Sequence, residues 1–234
     1  MLWGLRQVEP QAAHGLAVDL LQRQIHSGLL LPAERLPAER QLSDRFGISR
    51  VTLREALRVL ETNQYITVRR GAQGGAFVTD EERLSQLARR RMTRAPATTM
   101  RVVEFLTVNQ LAAARLAAVR RGTADLKRMR QAMDMMTSAE NGPQRKQSEA
   151  LFFLAVGDAA QNPLLSRAIE DGLAELFLPF EKAGSEATAS TALKSFEHLF
   201  QALGSEDIAS SEAAMTDLHA QLWDTVRRLT RNAA

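Results

Sequence analysis

Between residues 11 and 30, apolar side chains recur at three- and four-residue steps (Leu16, Leu20, Leu21, Ile25 and Leu29), the spacing of one face of an α-helix. Gly28 and Pro32 then end that helix. Further on, Pro37 suits the first turn of a short helix reaching Phe46, because its missing N–H is not needed there. Gly47, Ile48 and Ser49 break that helix, and Ser49 is a good N-cap for a second helix running to about Asn63. Leu53, Ala56, Leu57 and Leu60 form one stripe on the second helix, and Leu42 and Phe46 supply the facing surface. Two short helices across a tight Gly-containing turn predict a helix-turn-helix. Residues 65–68 and 76–78 read as strands around a loop holding Arg69, Arg70, Gly71, Gly74 and Gly75. Such a flexible basic loop is what a wing beside a DNA backbone requires.

The stretch 79–99 is charge-dense, with Arg89, Arg90, Arg91 and Arg94, and predicts a boundary. After it only helical periodicity survives, over 100–121, 123–137, 144–161, 163–182, 191–203 and 205–231. Thr123, Gly142-Pro143 and Asn162-Pro163 mark starts by cap or first-turn chemistry. The expected fold class is mainly α: an N-terminal winged helix-turn-helix followed by an all-α bundle of six to seven helices.

Charge changes the picture more than composition does. The net charge is only +3, but 26 of the 30 basic residues are arginine, and all four lysines lie at or beyond Lys127. Residues 1–94 carry 15 Arg against 10 acids, and the remainder 15 basic against 17 acidic residues. An arginine-rich first part suits phosphates and base edges. With no cysteine, a disulfide framework, a Cys-containing zinc site and a thiol nucleophile are excluded. Residues 1–15 show no apolar signal core, and runs such as 151–156 fall far short of a membrane span, so a cytoplasmic protein without membrane contact is expected.

Residues 28–79 resemble the winged helix-turn-helix of GntR-family bacterial transcription regulators. The likeness rests on the LP-A-ER segment from Leu36 to Arg40, the turn 47–50, the V-T-L-R-E-A-L helix from Val51 and the Gly-rich wing. Arg50, Arg54 and Arg58, four residues apart, step along the flank of the second helix away from its leucines, where arginine can bind guanine through two hydrogen bonds. The family pattern implies that Arg40, Arg50 and Arg54 make the main operator contacts, that Ser49 and Thr52 assist, and that Gly71 approaches the minor groove. Arg35, Arg69 and Arg70, with Arg45, are candidates for phosphate contacts, while Glu39 and Glu55 orient arginines or cap helices.

The helical remainder resembles, over about residues 98–231, the FCD ligand-binding domain of the FadR-type branch of that family. The likeness lies in A-A-A-R-L-A-A from Ala112, the stretch from Glu149 to Leu165, and His198 and His219 on the last two helices. It implies a homodimer on a short palindrome of double-stranded DNA, a small-molecule effector, usually an organic acid, and an organisation into residues 1–79 for DNA binding, 80–97 as linker or connecting helix, and 98–234 for effector binding and dimerisation. Many such domains hold a divalent metal such as zinc. Here Phe153 stands in place of the first usual His and Glu149 in place of Asp, leaving His198, His219 and Glu149 as a degenerate ligand set. Leu106 replaces an Arg that grips the effector carboxylate in relatives, and Gln110 replaces a Glu. An apolar or acyl-type effector without metal therefore stays open, and Met129, Met133, Met135 and Met136 suit either a pocket or the core. An enzyme is not expected, since no nucleophile–base set can be assembled from four His and no Cys. A non-specific architectural DNA-binding protein is the remaining alternative, against which the polarised charge argues.

Overall fold

The computed structural model describes residues 13–71, 74–180 and 186–231. Helix α1 (Ala13–His26) opens the described chain, its last turn followed by Gly28 at φ 84°. The buried face of α1 is Ala17, Leu21 and Ile25, whereas Leu16 and Leu20 are exposed. The expected apolar stripe is thus rotated. One four-residue row packs on α3, and the neighbouring row lines an open crevice against residues 158–171.

Helix α2 (Glu39–Phe46) starts after Ala38, so Pro37 precedes the helix rather than opening it. Gly47, at φ 64°, turns the chain in the left-handed region that glycine tolerates best. Helix α3 (Arg50–Thr62) then begins at Ser49, whose hydroxyl accepts the Thr52 N–H at 3.0 Å. Ser49→Ala is expected to lower stability by about 1 kcal/mol, as read by urea denaturation, because an orphan donor of the first turn loses its acceptor. Strands β1 (Ile66–Arg69) and β2 (Gly75–Val78) pair antiparallel, Ile66 opposite Val78 and Arg69 opposite Gly75. Gly74 closes the wing: a Cβ there would lie 2.4 Å from the Arg69 carbonyl oxygen.

Helix α4 (Glu81–Arg94) is capped by Asp80, which accepts the Arg83 N–H at 2.8 Å. Its Leu84 and Ala88 pack into the same core as Leu53, Leu57, Leu60 and Ile66. Six helices follow: α5 (Pro96–Arg120), α6 (Thr123–Thr137), α7 (Gly142–Ala159), α8 (Pro163–Glu175), α9 (Glu186–Gly204) and α10 (Ile208–Arg231). Of the described helices, α5 alone is long and apolar enough to cross a membrane, but Val103, Leu106 and its alanine row 113, 114, 117 and 118 are fully buried in the bundle. Those alanines let α7 and α10 approach closely, and Met129, Met133 and Met136 fill the space beside Phe152 and Met215. Three of the four methionines on α6 are therefore core, and Met135 is exposed.

The largest departure from the sequence expectation lies in 163–182. Helix α8 stops at Glu175, and residues 176–180 run on as a non-helical strap. Pro179 accounts for the stop, since a helical proline has no N–H to give and its ring clashes with the carbonyl four residues back, at Glu175. The strap sends Phe177 and Phe180 into the core of the N-terminal head formed by α1 to α4 and the two strands.

Candidate nucleic-acid interface and ligand cavity

The Ser49 cap aims α3 so that Leu53, Leu57 and Leu60 face inward while Arg50, Arg54 and Arg58 are exposed. Arg54 Nε donates to Glu39 Oε2 at 2.9 Å. Both side chains are about half exposed, so the pair adds little stability, but it fixes the guanidinium by one edge and leaves its other N–H donors facing out. A cleft of about 360 Å³ opens between α2, α3 and the wing, and Arg35, Arg54, Arg58 and Arg69 all line it, with Glu39 and Glu61 between them. Such a cluster in water suits a polyanion.

The wing is braced from inside. Arg35 Nη2 donates to the Gly74 carbonyl at 2.6 Å, and the Arg35 and Arg69 guanidiniums lie over the Phe77 ring at 5.9 and 4.6 Å from its centroid. Gly71, at φ 100°, is exposed at the turn. Arg40, Arg45 and Arg70 are exposed outside the cleft, while the Ser49 and Thr52 hydroxyls meet at 2.8 Å and serve the helix start. Glu55 is exposed on α3.

Behind the head, a cavity of about 740 Å³ lies between α5, α7, α9, α10 and the strap. Leu106, Gln110, Glu149, Phe153 and His219, all singled out in the sequence, converge on it. His198 does not: it is exposed on α9, whose inner face is taken by Phe196, Leu199 and Leu203. Phe153, one turn after Glu149, packs its ring 5.4 Å from that of Phe196. Among the described residues no three His, Asp or Glu side chains are grouped to hold a metal, so Glu149, His198 and His219 do not form a metal centre. His219 is 3% exposed; burial lowers its pKa to about 4 and keeps the imidazole neutral.

Two further residues, Lys146 and His26, carry no motif that marks them in the sequence. Lys146 Nζ donates to the Leu178 carbonyl at 3.2 Å and lies over the rings of Phe177 and Phe180. Its burial lowers its pKa to about 8, against the pull of the Glu149 carboxylate. His26, at the end of α1, stacks on Phe177 with centroids 4.1 Å apart and places Nε2 3.0 Å from the Tyr65 hydroxyl and Nδ1 3.2 Å from the Ala174 carbonyl. Burial, then the positive charges of Arg91 and Lys146, lower its pKa to about 3. The available signal was Pro179, which forbids the helix 163–182 and so frees Phe177 and Phe180 to point elsewhere.

Comparison with known proteins gives two family matches. Residues 16–78 match the family described as bacterial regulatory proteins, gntR family, and residues 110–232 match the FCD domain. LutR, an HTH-type transcriptional regulator of Bacillus subtilis (strain 168), is 26% identical over 200 residues, covering 82% of this chain and 90% of LutR. RmpR of Mycobacterium gastri is 30% identical over 172 residues, covering 71% of this chain; the chain spans 63% of that relative's length. The solved structure of E. coli McbR/YncC shares the fold with a TM-score of 0.56 at 21% identity, over 93% of this chain and 98% of that one.

Proposed function

This chain belongs to the GntR family of bacterial regulatory proteins and carries an FCD domain; it is a DNA-binding transcription regulator rather than an enzyme, and we propose that it is a homodimeric repressor whose hold on a short palindromic operator is set by a small organic acid. In this reading residues 1–79 form the DNA-binding head, 80–97 the connecting helix, and 98–234 the effector-binding and dimerising part, in the cytoplasm where DNA is reached. Arg50 and Arg54 read base edges in the major groove, with Arg40, Ser49 and Thr52 beside them. Arg35, Arg69 and Arg70 hold phosphates, and Gly71 brings the wing backbone close to the minor groove. Two heads are needed because one reads only a few base pairs.

The observation that carries regulation is the strap. Leu176, Leu178 and Phe180 line the cavity, while Phe177 and Phe180 are part of the head's core. A ligand that fits one position of the strap better than another biases the head accordingly, by no more than its differential affinity. The test is fluorescence anisotropy of the full chain on DNA from beside its own gene and on a scrambled duplex, across salt concentrations, with sedimentation alongside. The expected result is a dimer that prefers the native duplex, with a steep salt slope for both. Equal binding to every duplex favours an architectural protein, and a monomer that still binds tightly overturns the dimer.

A further inference from the structure

The cavity wall holds one unfinished hydrogen-bonding position, and its chemistry is fixed by its neighbours. Thr107 Oγ1 lies 2.8 Å from the Val103 carbonyl oxygen and 3.1 Å from His219 Nδ1. A hydroxyl has one hydrogen and a carbonyl only accepts, so the Thr107 proton goes to Val103 and its oxygen accepts from Nδ1–H. A neutral imidazole with its proton on Nδ1 has a bare lone pair on Nε2. Among the described residues, His219 Nε2 is the one buried side-chain nitrogen or oxygen without a hydrogen-bond partner. An acceptor left empty in this way costs free energy that a ligand donor recovers.

A metal ion is the other species that a bare imidazole nitrogen takes, and the surroundings do not supply it with further ligands. His198 is turned to solvent, and Phe153 presents a ring at the cavity. Leu106, Phe153, Leu176 and Phe196 give the cavity an apolar wall, and its charged lining holds three cations, Arg145, Lys146 and Arg228, beside two carboxylates, Glu149 and Asp224. We propose that the effector is an organic acid with an apolar skeleton that donates a hydroxyl hydrogen bond to His219 Nε2, and that it is recognised without a metal. Thr107 is the positioning residue: it holds the imidazole in the tautomer that accepts. This deepens the proposed function and rests on the cavity being the effector site.

The test is isothermal titration calorimetry of the full chain with two pairs of probes, 3-phenyllactate against 3-phenylpropionate and 4-hydroxycinnamate against cinnamate, each pair differing by one hydroxyl. At least one hydroxylated member is expected to bind about tenfold tighter than its partner, the scale of one satisfied buried hydrogen bond. His219→Leu should abolish that preference, bringing the two members of the pair to similar affinity. Thr107→Val should reduce the preference without removing the imidazole, and circular dichroism checks that both variants fold. Two outcomes overturn the inference: equal or no binding of both members in both pairs, or micromolar zinc binding that is lost in His219→Leu. Calorimetry reads the cavity without DNA. A hydroxylated probe that binds but leaves the operator complex unchanged therefore counts against the regulatory reading and not against this one.

Discussion

Arg54→Ala is expected to remove most discrimination at one operator base pair, a loss of about 1–3 kcal/mol, or roughly five- to 150-fold in affinity for the native duplex. Scrambled DNA should be bound only slightly less well, through the loss of one positive charge. The expectation follows from the geometry around Glu39. Its carboxylate accepts from Arg54 Nε, leaving the outward N–H groups of the guanidinium to meet an acceptor pair such as guanine O6 and N7. Arg54→Lys separates charge from shape: it keeps the phosphate attraction but has no planar fork, so it should lose specificity nearly as fully as alanine while retaining non-specific affinity. Glu39→Gln should lie between wild type and alanine, since it loosens the guanidinium without removing it. An unchanged ratio of native to scrambled binding in Arg54→Ala would falsify the base-reading role.

The second large effect is on stability in acid. Unfolded, His26 titrates near its ordinary 6.5; folded, its pKa lies at about 3, because burial, Arg91, Lys146 and Arg23 all oppose the imidazolium. Across that window the unfolded chain binds the extra proton, so stability is fully present above pH 6.5 and falls as pH drops toward 3. The slope approaches about 1.4 kcal/mol per pH unit, so roughly 2–3 kcal/mol is lost between pH 6.5 and 4.5. Urea denaturation at a series of pH values reads this directly. His26→Gln should flatten most of the slope, leaving a smaller part of the same sign from His219, whose pKa is also lowered. A wild-type slope matched by the variant would mean that the junction of head and strap opens before His26 takes its proton. Arg91 reaches the junction from α4, where it also pairs with Glu175, and Lys146 reaches it from α7. Both cations therefore oppose a proton on His26 from separate elements.

Legibility followed the range of the interactions involved. The Ser49 cap, the Gly47 turn, the α3 leucine stripe and the start of α6 at Thr123 were all readable, because each is decided by residues within one or two helical turns. The polarised arginine content was legible for the same reason: charge adds along the chain whatever the fold. Leu16 and Leu20 were misjudged because periodicity says that a helix has an apolar face but not which of two adjacent rows meets a partner. For the cavity, the sequence marked Leu106, Gln110, Glu149, Phe153 and His219 without showing that they share one space, and it grouped His198 with them although α9 turns it to solvent.

From the chain alone came the family and the fold class, a helix-turn-helix followed by an all-α bundle, both of which depend on local spacing and composition. Packing alone decided three things: that Phe177 leaves the C-terminal bundle to stack on His26, that Lys146 holds the strap between cavity and head, and that His219 keeps an empty lone pair. His26 and Ala174 stand 148 residues apart, and Thr107 and His219 stand 112 apart. No periodicity within a helix reports on contacts of that separation, because they exist only once whole helices have chosen their neighbours.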